Sequence, residues 1–322
     1  MSKFVFFGGK GGVGKTTVSC AYGLNCVDDG LETLVVSTDP AHSTSDVFDQ
    51  RFGDEPTAVE GYDGLWAMEL DPDEEVQRHM QEIKRTMSDQ VSPAVVNEID
   101  RQIELAHRTP GAYEAALFDR FIDVMRNAEP YDRVVFDTSP TGGTLRLLSL
   151  PDFLESWIER LVAKRERSID LYERAAIGDR EARKTAAEDP IIARLTDRKE
   201  LFEFAGETLR NDATFFLVLN PEELSIRETR RTIDDLNEYD LGVEGLVVNK
   251  IALEPDPDED GTGATYLRQR YRTERDRIER IDEEFSEPIV ARIRQRVEEV
   301  KGDLLTDVAT ELDVGTAPAA RR

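Results

Sequence analysis

The chain has 322 residues, of which 39% are hydrophobic and 34% charged, so it holds enough apolar material for a full core and global disorder is excluded. Its 41 basic and 67 acidic residues give a formal net charge of −26, which argues against a nucleic-acid partner, because phosphate-backbone affinity rests on basic patches. The only cysteines are Cys20 and Cys26, no apolar run approaches the ~18–20 residues of a membrane span, and the N-terminus carries no charged signal region, so a cytoplasmic protein without a disulfide framework is expected.

Residues 4–7 form a continuous apolar run and predict the first strand. Gly8-Gly9-Lys10-Gly11-Gly12-Val13-Gly14-Lys15-Thr16-Thr17 follows directly and opens a helix. From Gly9 onward it fits G-x-x-x-x-G-K-[ST]. Such glycines let successive backbone N–H groups turn inward around phosphate oxygens, and the helix N-terminus adds a favourable dipole. In this frame Lys15 is expected to reach the β- and γ-phosphates of a nucleotide, and Thr16 to place its hydroxyl on Mg²⁺.

Residues 33–37 predict a second strand, followed by Asp39-Pro40-Ala41-His42-Ser43. Strand ends of this kind line the carboxyl edge, where ligands sit in open α/β sheets. There Asp39 is a candidate to orient or deprotonate an attacking water, with a helix N-cap as its plainer alternative. Residues 65–70 suggest a further strand, and about 71–115 a polar helical insertion. The strand at 133–136 ends in Asp137, an arrangement like a Walker B element with the carboxylate near Mg²⁺. The Pro/Gly-containing segment after it is suited to change conformation when a γ-phosphate leaves.

A second helical insertion spans about 151–213. Phe153, Leu154, Trp157, Ile158, Leu161 and Val162 fall at helical spacing in it, 164–189 is dense in charge, and Ile191, Leu195, Phe202 and Leu209 restore an apolar face. Strands at 215–219 and 246–248 complete the pattern, an acidic Pro/Gly loop covers 254–263, and 313–322 reads as a disordered tail. Strands alternating with helices over these distances predict an α/β fold, a doubly wound, mostly parallel sheet, in one domain over 1–312.

The second lysine of the loop, Lys10, resembles that of the deviant P-loop ATPases, and the resemblance implies that it contacts phosphate on a partner subunit. Asp39-Pro40-Ala41-His42 and Asp137-Thr138-Ser139-Pro140-Thr141-Gly142-Gly143-Thr144-Leu145-Arg146, in this order, resemble the ArsA family. Arg108-Thr109-Pro110-Gly111-Ala112-Tyr113-Glu114 and Glu223-Leu224-Ser225-Ile226-Arg227-Glu228-Thr229 add further matches. This resemblance implies ATP and Mg²⁺ as cofactors, a homodimer closing around two nucleotides, Asn249 reading the adenine, and Pro288 in a second adenine-contacting loop. The family includes cytosolic ATPases that deliver tail-anchored membrane proteins and catalytic subunits of arsenite pumps, so a membrane receptor or pump is an implied partner.

The stretch near 261–270 lacks the Cys-x-x-Cys that binds zinc at the dimer interface of the eukaryotic targeting factors, and zinc stapling is excluded on ligand grounds. With only two thiols, arsenite activation through a cysteine set is not expected, although a metalloid-efflux subunit stays as the alternative function. A positioning ATPase is a third reading, but the C-terminal region shows neither a basic face nor an amphipathic membrane helix. Nine of the 41 basic residues are lysine, a balance that reads as halophilic, suited to a salt-rich cytoplasm. Client contact would fall to Phe153, Leu154, Trp157 and Leu161, or to Met80, Ile83 and Met87, unless these stripes simply pack on the sheet. Asp39→Asn is expected to bind ATP and dimerise yet hydrolyse about 100-fold more slowly. Phosphate release near the unmodified rate would remove Asp39 from the chemistry.

Overall fold

The computed structural model describes residues 2–38, 43–71, 112–137, 190–312 and 314–316, with single positions 78, 160 and 163. Its strands are β1 (Phe4–Gly8), β2 (Thr33–Ser37), β3 (Thr57–Ala58), β4 (Leu65–Glu69), β5 (Arg133–Asp137), β6 (Ala213–Leu219), β7 (Val243–Ile251) and β8 (Ile289–Arg294). The helices are α1 (Lys15–Asp28), α2 (Ser43–Phe48), α3 (Ala112–Arg126), α4 (Pro190–Asn211), α5 (Glu223–Asn237), α6 (Thr262–Glu284) and α7 (Asp303–Glu311). The eight strands form one sheet in the order β3-β4-β2-β5-β1-β6-β7-β8. Every pairing is parallel except β3 with β4.

The continuous apolar runs follow from burial on both faces. Successive side chains of a strand point to opposite sides, so Val5 and Phe7 join one core with α1 and α7, while Phe4 and Phe6 join another. The first core takes Val18, Tyr22 and Cys26 of α1 and Leu305 and Val308 of α7. The second takes Phe118 and Phe121 of α3 and Phe202 and Leu209 of α4. Within it, Phe6 stacks on Phe136 at 4.6 Å and on Phe215 at 4.9 Å. Register makes this ladder, because Phe6 lies opposite both rings on β5 and β6. A third cluster, with Ile226 and Ile233 of α5 and Ile281 of α6, covers β6 and β7.

The chain moves from β1 outward to β2 and β4 on one side, and to β6, β7 and β8 on the other. That reversal beside β1 leaves a crevice at the carboxyl edge, directly above the glycine loop.

Several expectations change. β8 is an additional strand, and β3 a two-residue antiparallel edge. Phe202 and Leu209, on the apolar face read in the second insertion, lie on α4 and pack into the second core. The disordered tail is corrected for 314–316: Val314 and Thr316 are buried, and the Thr316 hydroxyl bonds Asp29. Arg133, at the start of β5 and 2% exposed, donates to the carbonyls of Ser2 and Thr316. The stripes at 80–87 and 153–162 lie outside the described residues.

Arg133→Met removes two charge-assisted hydrogen bonds and is expected to lower unfolding free energy by about 2–3 kcal/mol. Denaturant titration measures this, and hydrogen exchange at 314–316 should rise with it.

Candidate nucleotide-binding site

Gly9 and Gly14 make the turn after β1 possible. A Cβ on Gly9 would stand 2.1 Å from the Val218 carbonyl oxygen, and one on Gly14 would stand 2.4 Å from Asn249 Nδ2. Both also have positive φ, +145° and +92°. Gly14 is the N-cap of α1 and bears no side chain to cap it, so the first N–H groups of the helix are met by no side-chain oxygen at that position. Lys15 Nζ donates to the Lys10 carbonyl at 3.3 Å, closing the loop on itself.

At the floor of the crevice the ends of β1, β5 and β2 stand in register, with Phe7 and Ser37 both opposite Asp137. Asp137 is 1% exposed. Its Oδ2 accepts from the Thr16 hydroxyl at 2.6 Å and from the Ser37 hydroxyl at 3.2 Å. Its backbone carbonyl accepts from Thr38 N–H at 3.2 Å. The sequence-predicted pair, Thr16 and Asp137, is therefore brought together. Hard oxygen donors of this kind suit Mg²⁺, which uses one or two protein groups and takes the rest of its shell from phosphate and water. The donor set fits the ion.

Asp39 and His42 lie outside the described residues, as do 138–146. The described residues resume at α2, whose first turn is fastened to Glu69 at the end of β4. Ser45 N–H donates to Glu69 Oε1 at 2.8 Å and Ser45 Oγ to Oε2 at 2.7 Å. Phe52 N–H donates in turn to Ser45 Oγ at 3.1 Å. Glu69, 4% exposed, thus fixes the segment that follows the first strand-end motif. Sequence reasoning passed over it, because a glutamate ending a strand carries no spacing signal.

Lys10 sits within 4.0 Å of Glu228 on α5, with both side chains partly exposed. An exposed pair of this kind contributes about 0–1 kcal/mol, too little to hold the lysine in place. Asn249 ends the buried part of β7 and donates from Nδ2 to the Val13 carbonyl at 2.8 Å. Two recesses flank this contact. One of about 320 Å³ is lined by Lys10, Gly12, Asn220, Lys250 and Arg270. The other, about 250 Å³, is lined by Gly14, Thr17, Asn249, Arg294, Arg296 and Val300.

The expectation for Pro288 is corrected. Its carbonyl accepts from Leu246 N–H, and it precedes β8 at the amino edge of the sheet. The loop that follows the same strand, from Arg294 onward, lines the recess instead. Arg296 is held there by Glu311 at 3.1 Å and by the Arg294 carbonyl at 2.7 Å. Burial pulls the Glu311 carboxyl upward, but hydrogen bonds from Arg296 and Arg294 outweigh it and leave the group below its ordinary range.

Both cysteines are fully buried on α1. Burial pushes the Cys20 thiol well above its ordinary value and the Cys26 thiol up to about 11, against weaker lowering by Arg133 at Cys26. Among the described residues no group of three metal-ligating side chains occurs, and no helix is long and apolar enough to cross a membrane.

A phosphate loop between β1 and α1, a buried aspartate on the neighbouring strand and a parallel, doubly wound sheet together define a P-loop nucleotide hydrolase. The ArsA family profile, described as an anion-transporting ATPase, matches residues 2–313, so the chain belongs to the ArsA family and is an ATPase. A relative from Aquifex aeolicus, described provisionally as an arsenical pump-driving ATPase, is 32% identical over 92% of this chain and 94% of its own length. A protein from Aspergillus terreus named ATPase get3 is 31% identical over 93% of this chain and 87% of its own. A Halobacterium salinarum relative, also described provisionally as an arsenical pump-driving ATPase, is 34% identical over 95% of this chain, which spans only 43% of that protein.

Asp137→Asn keeps an acceptor for Thr16 but removes the negative charge. Its ATPase rate is expected to fall about 10–100-fold, with a higher Mg²⁺ requirement, measured as phosphate release across a Mg²⁺ titration.

Proposed function

We propose that the chain is a dimeric, Mg²⁺-dependent ATP switch that captures and delivers tail-anchored membrane proteins. In this reading the loop from Gly9 to Thr17 holds the triphosphate through its backbone N–H groups, and Lys15 neutralises charge at its β- and γ-oxygens. Thr16 and Asp137 would hold Mg²⁺, which would supply charge neutralisation to the triphosphate. Asp39 orients the attacking water. Lys10 leaves Glu228 for phosphate on a second copy of the chain, so that hydrolysis depends on closure of the dimer. Asn249 and the loop after β8 face the base. Loss of phosphate releases the segment that follows Asp137, and the dimer relaxes.

The observation that carries delivery over metalloid pumping is the state of the thiols. Soft metalloids are bound by thiolates, and the chain's two cysteines are both buried in the core, where burial disfavours the thiolate. Similarity to the protein named ATPase get3 supports the same direction. The pump reading draws on the arsenical names of the Aquifex and Halobacterium relatives.

The test is capture of a hydrophobic C-terminal anchor peptide by the slow Asp39→Asn variant in high-salt buffer. Stable capture with ATP and not with ADP is expected. An ATPase rate stimulated by arsenite, with no capture in either nucleotide state, would favour the pump.

A further inference from the structure

Lys250 belongs to no motif of the sequence, yet it stands where the two recesses of the site meet. It lines both, the one beside Lys10 and the one beside Thr17 and Asn249. A nucleotide with its phosphates in the glycine loop and its base beside Asn249 runs past this side chain.

Its backbone is unusual. Among the described residues only Asp49, Asp240 and Lys250 combine a side chain with positive φ, and Lys250 has φ +58°. Aspartate tolerates this region through local hydrogen bonding, whereas lysine has no such compensation. Glycine or asparagine would occupy the position at lower cost. The side chain is exposed, so burial does not offset the strain.

What the side chain does gain, among the described residues, is a hydrogen bond to the loop: Nζ donates to the Gly12 carbonyl at 2.6 Å. Asn249, the preceding residue, donates to the Val13 carbonyl at 2.8 Å, and Lys250 N–H in turn donates to Asn249 Oδ1 at 2.8 Å. Consecutive residues of β7 therefore hold consecutive peptide planes of the phosphate loop. In a trans peptide the N–H points away from the C=O of the same plane. Fixing the carbonyls of Gly12 and Val13 toward β7 turns the N–H groups of Val13 and Gly14 the other way. The Val13 N–H meets the Lys10 carbonyl at only 3.4 Å, a long contact that a phosphate oxygen displaces readily.

We propose that Lys250 is a positioning residue for the nucleoside triphosphate: it locks the Gly12–Val13 peptide for phosphate binding and holds a cation between the phosphate and base recesses. The strained backbone at φ +58° is retained for that contact. The inference rests on nucleotide occupancy of the loop and is independent of the client.

The test uses the full chain with Lys250→Gly and Lys250→Asn, both of which accommodate a left-handed backbone. ATP affinity is measured by calorimetric titration, and stability by thermal unfolding without nucleotide. Loss of the clamp and of its charge is expected to weaken ATP binding about tenfold. Relief of strain is expected to leave the nucleotide-free melting temperature unchanged or higher. A purely structural lysine would lower both quantities together, and that result overturns the proposal. Unchanged ATP affinity in both variants overturns it as well. Failure of the unmodified chain to bind ATP would reject the nucleotide site itself, an outcome separable from a defect confined to the variants.

Discussion

One carboxylate oxygen, Asp137 Oδ2, receives the hydroxyls of Thr16 from α1 and Ser37 from β2, while the same residue's carbonyl receives Thr38 N–H. A carboxylate withdrawn from water costs several kcal/mol unless donors surround it. Here the donors come from β2 on one side of β5 and from α1, which follows β1, on the other, so satisfying the charge and aligning the three strand ends are a single event. The depth of the glycine loop follows from this alignment, because α1 can begin only where Thr16 reaches the aspartate. Cross-strand stacking of Phe136, Phe6 and Phe215 ties β5 and β1 to each other and to β6 from within, one residue below Asp137 on β5.

A chain of net charge −26 has to receive a polyanion, and it does so by local concentration of opposite charge. Lys10, Lys15, Lys250, Arg270, Arg294 and Arg296 all lie at or beside the loop and its recesses. Two acidic groups beside them are engaged: Glu311 pairs with Arg294 and Arg296, and Glu274 pairs with Arg270 while accepting from Ala252 N–H. Distant acidic surface is screened over ~8 Å at physiological ionic strength, whereas the oriented N–H groups act at contact. The local field is thus set by the site and not by the total charge.

The strands at 4–8, 33–37 and 133–137 were legible because burial on both faces writes them as unbroken apolar runs. The phosphate loop was legible because its glycines are demanded by close approach to Val218 and Asn249. β8 was not, since it lies at the sheet edge, where Arg292 and Arg294 face solvent and only Ala291 and Ile293 are buried. Pro288 was assigned to the wrong end of that strand, because an undetected strand gives no direction to the residues around it. Glu69 and Lys250 escaped for another reason. Their partners, Ser45 and Gly12, are 24 and 238 residues away in sequence, and nothing local marks the contact.

Arg133 joins segments from far apart in the chain, Ser2 at a separation of 131 residues and Thr316 at 183. Contacts of such range carry a large loop-closure entropy. Until both carbonyls arrive, β5 presents a buried cation without its acceptors at the amino edge of the sheet. The nucleotide edge is tied over comparable and longer spans, 121 residues for Thr16–Asp137 and 236 for Asn249–Val13. Both edges of the sheet are therefore fastened by segments remote in sequence, and at the edge away from the glycine loop the fastening is a buried guanidinium, so that releasing either carbonyl would leave a charge sealed without its acceptor.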